Sequence, residues 1–163
     1  RSIDRINYQI NEILDFIRER PVEMSKEKIS EIIFESLDSM IVPDNIELIL
    51  PKNDTELFCN KKQFSLVITN LISNGIQAID GTGTIEVTVE KNNDAIVIQV
   101  KDSGSGINSR DIDKIFDPLF STKQKGTGLG LASVQAIVDA HGGIISVTSP
   151  PTIFTITLPQ TLE

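Results

Sequence analysis

A β-hairpin set among helices is the feature that most narrows the fold of this chain. Thr84 to Lys91 and Ala95 to Lys101 are two strand-forming runs, and Asn92-Asn93-Asp94 between them is a hairpin turn signal. Ile144 to Thr148 and Ile153 to Leu158 supply two more strand segments, the last ended by Pro159. Helices surround them. Ile3, Ile6, Ile10, Ile13, Leu14 and Ile17 recur at three- and four-residue steps and predict a helix from Ser2 to about Arg20, stopped by Pro21. Its apolar stripe is narrow, which suits a bundle seam and an ordinary packing face equally well. Ser25, read as a cap residue, opens a second helix through Ile29, Ile32-Ile33, Leu37 and Met40. Ile46, Leu48 and Leu50 alternate as a strand closed by Pro51. Phe64, Val67, Ile68, Leu71, Ile72 and Ile76 mark a third helix, broken at Asp80-Gly81. Leu129 to Ala140 is a fourth, stopped by Gly142-Gly143. Helices and strands that alternate irregularly, with antiparallel hairpins, favour an α+β fold: a two-layer α/β sandwich with helices on one face of a mixed sheet.

Composition excludes several functions. A length of 163 residues suits one compact domain with a short appendage. The net charge of -8 argues against a general phosphate-backbone binder, so no nucleic-acid partner is expected, but it leaves room for one phosphorylated ligand in a locally prepared site. A single cysteine, Cys59, excludes a disulfide framework and a cysteine-rich zinc site. A single histidine, His141, excludes any site that needs two. There is no apolar run of membrane-spanning length and no signal-peptide pattern, which makes an intracellular, cytoplasmic domain the expectation. Arg1 is not a natural start, so the chain reads as a fragment of something longer.

The chemistry concentrates between Asp102 and Leu131. Asp102-Ser103-Gly104-Ser105-Gly106 follows a strand directly; a carboxylate there can accept from an exocyclic amine, and the glycines let a flat ring approach the backbone. Alone, such a stretch reads as a simple turn. Gly126-Thr127-Gly128-Leu129-Gly130-Leu131 opens a helix, and its N–H groups with the helix onset make a phosphate cradle, with Lys123 and Lys125 just upstream. The stretch lacks the Gly-Lys-Ser/Thr ending of a P-loop, has Ser133 where the dinucleotide pattern needs glycine, and is followed by no HRD-like kinase loop. Asn70 and Asn74 stand four apart on the third helix, so both amides face one way, and a neutral amide oxygen can ligate Mg²⁺. On their own the two amides read as solvated or satisfied in the core.

Taken in order, Asn70-x₃-Asn74, Asp102-x-Gly104-x-Gly106, Ile115 to Lys123 (Ile-Phe-Asp-Pro-Leu-Phe-Ser-Thr-Lys) and Gly126-x-Gly128-x-Gly130 resemble the N, G1, F and G2 boxes of the sensor histidine kinases. His141-Gly142-Gly143 before a strand resembles the family's segment after G2. The resemblance runs from about Ser25 to Pro159. It implies a Bergerat-type fold that holds ATP under a mobile lid, shared with the gyrase, chaperone and mismatch-repair ATPases. It implies that Asn74 is the Mg²⁺ ligand, with Asn70 assisting beside the phosphates, and that Asp102 reads the adenine amino group in a pocket shaped by Gly104, Gly106 and Ile107. Phe116 and Phe120 would anchor the lid between Asp117 and Gly126. Gly126, Thr127, Gly128, Leu129, Gly130 and Leu131 would hold the triphosphate, and Asn70 and Lys123 would act in catalysis. Residues 1–21, with Ile13-Leu14-Asp15-Phe16-Ile17-Arg18 before Pro21, resemble the end of the second helix of the family's dimerisation and phosphoacceptor hairpin, leaving 22–163 as the catalytic domain.

The implied activity is transfer of the ATP γ-phosphoryl group to a histidine on that hairpin, then to an aspartate on a response regulator receiver domain, within a homodimeric parent that can be membrane-anchored. His141 lies in the His-Gly-Gly segment and is read as structural, so this chain alone is expected to hydrolyse ATP slowly and not to phosphorylate itself. Gln77 stands where many members carry a basic residue, Gly75 replaces the common alanine, and Ser149-Pro150-Pro151-Thr152 lacks the usual glycines. The alternatives are a related ATPase or serine kinase of the same fold, and a degenerate module that binds nucleotide without catalysis. Asn70, where the ATPases carry a water-activating glutamate, weighs against hydrolysis.

Overall fold

The computed structural model describes residues 23–92, 95–123 and 126–159. The helix expected over Ser2 to Arg20 lies outside the described residues, as do Asn93 and Asp94 of the hairpin turn. The described elements are β1 (Ser25–Lys28), α1 (Ile29–Asp38), β2 (Ile46–Ile49), β3 (Glu56–Cys59), α2 (Lys61–Ala78), β4 (Gly83–Lys91), β5 (Ala95–Asp102), α3 (Gly130–Ala140), β6 (Ile144–Thr148) and β7 (Thr152–Pro159).

Five strands form one sheet in the order β2-β4-β5-β7-β6. β2 pairs parallel to β4 and the other neighbours are antiparallel, so the sheet is mixed, as the sequence predicts. Its inner face is built by strand alternation. Ile96, Ile98 and Val100 of β5, Ile85 and Val87 of β4, and Phe154, Ile156 and Leu158 of β7 are all buried. The apolar stripe of α2, from Phe64 through Val67, Ile68, Leu71 and Ile72, packs on that face and completes the core. α1 and α3 flank α2, giving a helical layer over one side of the sheet.

The structure corrects the reading of Ser25. Residues 25–28 form a strand, paired antiparallel with Glu56–Cys59 in a separate two-stranded sheet. The Ser25 hydroxyl donates to Glu27 Oε1 at 2.7 Å and caps nothing. α1 begins at Ile29, behind Lys28, which makes no side-chain cap. The helix's first donors are met from a distant loop instead: Ile29 N–H donates to the Thr55 carbonyl at 2.9 Å and Ser30 N–H to Asp54 Oδ1 at 3.2 Å. α2 does have a side-chain cap, Asn60 Oδ1 accepting from Gln63 N–H at 3.0 Å. Among the described residues no helix is long and apolar enough to cross a membrane.

Candidate functional site

A cavity of about 760 Å³ opens between the end of α2, the C-terminal end of β5 and the start of α3. α2 supplies its floor. Asn70, Asn74 and Gln77 follow one another at four- and three-residue steps, so they share the stripe of α2 that turns from the core to the cavity. Asn70 Nδ2 donates to the Leu66 carbonyl at 3.0 Å. Its Oδ1 faces Gly130, where an added Cβ would come within 2.7 Å of it. A side chain at 130 would therefore push the Asn70 amide from its place.

β5 delivers the carboxylate. Its alternation buries Ile96, Ile98 and Val100, and the same period places Asp102 on the inner face, 4% exposed, at the cavity wall. Asp102 Oδ1 accepts from Gly104 N–H at 2.9 Å. Burial pushes its pKa above the ordinary carboxylate value, and the Gly104 hydrogen bond and the Lys123 charge pull the other way. Gly104 does not line the cavity. It lies so close to the Ala78 carbonyl oxygen that a Cβ would sit 2.6 Å away, and its work is to turn the chain behind Asp102. Thr152 of β7 stands opposite Asp102 in the strand register and also lines the cavity, 3% exposed. The sequence reading missed it, although counting back by two from Phe154 reaches it.

The opposite wall is the segment from Phe120 to Leu131. Phe120, Lys123, Gly126, Thr127, Gly128, Gly130 and Leu131 line the cavity, and Leu129 does not: its side chain is buried behind the glycine run. Ile107 and Gly106 line it on the β5 side, together with Asn108 and Asp111, which sequence patterning did not single out. Phe116 packs edge-on against Phe154, with ring centroids 6.3 Å apart, and ties this wall to the sheet. Lys123 reaches across: its Nζ donates to Asn74 Oδ1 at 3.1 Å and to Gln77 Oε1 at 2.5 Å. Desolvation lowers its pKa, and the Asp102 charge partly restores it. The cavity thus presents amide oxygens on one side, a carboxylate at one end, and a lysine with glycine-rich backbone on the other. These suit a cation, a ring bearing an amine, and an anion, respectively.

His141 lies outside the cavity, buried against Phe64. Its Nδ1 donates to the Ile137 carbonyl at 2.7 Å and its Nε2 accepts from Asn60 N–H at 3.0 Å. Both ring nitrogens are engaged, and the ring joins the end of α3 to the start of α2.

Comparison with known proteins agrees with this architecture. Residues 59–162 match the family described as histidine kinase-, DNA gyrase B-, and HSP90-like ATPase. The sensor histidine kinase ZraS of Escherichia coli (strain K12) is 36% identical over 167 residues, covering 98% of this chain and 36% of that protein. The signal transduction histidine-protein kinase AtoS of the same organism is 33% identical over 168 residues, covering 98% of this chain and 28% of AtoS. The chain spans about a third of the length of these curated relatives. Among solved structures, the catalytic domain of the histidine kinase ThkA superimposes with a TM-score of 0.75 at 30% identity, covering 85% of this chain and 96% of that one. ThkA in complex with the response regulator protein TrrA gives 0.79 at 28% identity, covering 98% of this chain and 48% of that one. The chain therefore belongs to the histidine kinase-, DNA gyrase B- and HSP90-like ATPase family, as an ATP-binding catalytic domain of histidine kinase type.

Proposed function

We propose that this domain binds ATP together with Mg²⁺ and presents the γ-phosphoryl group to a histidine that is not among these 163 residues, in a two-component sensor kinase. The observation that carries the reading is the convergence of Asn70, Asn74, Asp102, Lys123 and the 126–131 glycine run on one cavity. The residues fit the groups they would hold. At Gly128 and Gly130 a side chain would collide with Leu119 and Asn70, so this wall meets the cavity with bare backbone, and a cationic ammonium already rests on Asn74 Oδ1.

In this reading Asp102 accepts from the adenine amino group while Gly104 N–H holds the carboxylate in place. Gly106 and Ile107 flank the ring. Backbone N–H groups of 126–131 and the onset of α3 carry the triphosphate, and Lys123 orients the γ-phosphate. Asn74 would hold Mg²⁺, with Asn70 beside it, and the ion would supply charge that neutralises the phosphates. A histidine nitrogen forms its bond to the γ-phosphorus as the bond to the β,γ-bridging oxygen breaks, and ADP leaves. His141 is excluded as that nucleophile because both of its nitrogens are occupied inside the fold. Asn70 stands where a water-activating carboxylate would be needed, so the site favours transfer over hydrolysis.

Residues 1–21 would end the hairpin that carries the acceptor, in a homodimeric parent. A response regulator receiver domain is the onward partner, as the ThkA complex with TrrA suggests by analogy. ATP and such a receiver place the domain in the cytoplasm, whether or not the parent is anchored in a membrane. The test is titration of nucleotide with and without Mg²⁺ on the wild type, Asn74→Ala and Asp102→Ala. Asn74→Ala should remove most of the Mg²⁺ dependence, and Asp102→Ala should abolish adenine selectivity. Absence of binding at millimolar ATP would leave a degenerate module.

A further inference from the structure

The main-chain hydrogen bonds of Lys123 stay within its own segment. Lys123 N–H donates to Ser121 Oγ at 3.1 Å. Its carbonyl accepts from the same hydroxyl at 3.3 Å and from Gly126 N–H at 3.1 Å. The Lys123 side chain is what ties this arm to α2. Two acceptors meet it there, Asn74 Oδ1 and Gln77 Oε1, the second at the shorter distance. Gln77 is itself oriented: its Nε2 donates to Ser73 Oγ at 3.2 Å, which turns Oε1 toward the arm. Neutral amide oxygens hold an ammonium less firmly than carboxylate or phosphate does, so this contact can be exchanged when a phosphate arrives. The oxygen it covers on Asn74 is the one assigned above to the metal. A divalent cation and an ammonium on one amide oxygen would repel each other.

We infer that Gln77 is a positioning residue that parks Lys123 on Asn74 Oδ1 in the nucleotide-free protein, so that the divalent cation entering with nucleotide displaces the ammonium and turns it toward the phosphates. This rests on the assignment of Asn74 as the metal ligand. It gives Gln77 a task that a basic residue there could not perform, since a cation at 77 would repel Lys123 rather than hold it. It also makes the basic group at the phosphates a travelling one, released by the metal that the phosphates bring.

The test uses Gln77→Leu, Lys123→Met, their double variant and Asn74→Ala. Two quantities are read: amide hydrogen exchange at residues 121–123 without nucleotide, and the gain in affinity for a fluorescent ADP analogue on adding Mg²⁺. Gln77→Leu should speed exchange in the arm, and it should add nothing further in the Lys123→Met background. With the competing ammonium loosened, the Mg²⁺ gain should rise roughly fivefold in Gln77→Leu, the scale of one weakened hydrogen bond. An unchanged gain and unchanged exchange in Gln77→Leu, with the gain lost in Asn74→Ala, overturns the exchange alone. A gain that survives Asn74→Ala overturns the metal assignment and the exchange with it.

Discussion

Gly128→Ala is the sharpest single perturbation of the cavity wall. Gly128 adopts φ +70°, in the left-handed region, and its carbonyl accepts from Leu119 N–H at 2.8 Å. A Cβ at 128 would lie 2.4 Å from the Leu119 carbonyl carbon and 2.7 Å from its Cα, both backbone atoms that cannot rotate away. Leu119 has φ +67° itself, so the turn has little freedom to yield. Gly81 provides the control: it has φ +78°, and a Cβ there meets nothing within 4 Å. Gly81→Ala should therefore pay strain alone, about 1–2 kcal/mol, less roughly 0.4–1 kcal/mol for stiffening the unfolded chain. The net of about 1 kcal/mol lowers the unfolding midpoint by about 3 °C. Gly128→Ala adds the displacement of Leu119 and the loss of its hydrogen bond, about 1 kcal/mol more. The larger consequence is local, because the displaced backbone carries the N–H groups assigned to the triphosphate. Nucleotide affinity should fall by about tenfold or more in Gly128→Ala and stay near wild type in Gly81→Ala. Calorimetric titration and thermal unfolding on the three proteins measure both. The reasoning is refuted if Gly128→Ala unfolds with Gly81→Ala and binds nucleotide as the wild type does.

Other substitutions test the environment of single groups. Burial lowers the His141 pKa below its ordinary value, against the opposing hydrogen bond to Ile137. The neutral ring is thus the folded form, stability is fully present above the unfolded pKa of about 6.5, and it declines as the pH falls below that. In a series of unfolding midpoints from neutral to mildly acid pH, His141→Gln should flatten that decline. Burial raises the Asp102 pKa, so its ionised form costs stability at neutral pH; Asp102→Asn should raise the unfolding midpoint of the nucleotide-free protein while weakening nucleotide binding. The Cys59 thiol is buried and pushed up to about 12, so labelling by iodoacetamide at mildly alkaline pH should proceed only at the rate of global unfolding. Fast labelling of the folded chain would contradict that burial.

The parts of the fold that were legible in sequence are those whose pattern is local. α2, α3, the β4–β5 hairpin and the β6–β7 pair follow from apolar period and punctuation, and each lies within a few residues of its expected bounds. The start of α1 was not legible, because its donors are satisfied by Asp54 and Thr55, more than twenty residues away. Ser25–Lys28 has no apolar alternation, and only its pairing with Glu56–Cys59 makes it a strand. In the site, Asn70, Asn74 and Asp102 stood out because polar side chains interrupt apolar periods. Asn108 and Asp111 sit in irregular chain, where no period exists to be interrupted. The contact between Lys123 and Gln77 joins residues 46 apart in sequence, and only the packing of the arm over α2 brings them together.

The cavity exists because two periodicities are brought to one place at close range. The helical repeat puts Asn70, Asn74 and Gln77 on one stripe of α2, and the strand repeat puts Asp102 and Thr152 on the inner face of β5 and β7. Gly75 governs how near these two surfaces come. It is buried where α2 crosses the sheet, and a Cβ there would lie 3.1 Å from Ile85 Cδ1 and 3.2 Å from Asp102 Cβ. In the sequence Gly75 registered only as a replacement for the family's common alanine. In the fold, the helix accepts a loss of roughly 1 kcal/mol in propensity and gains a crossing one methyl group closer to the strand that carries Asp102. The neighbouring residue, Asn74, thereby shares a cavity with the carboxylate, and in a chain with a net charge of -8 the proposed anion site rests on backbone amides and one lysine instead of on bulk positive charge.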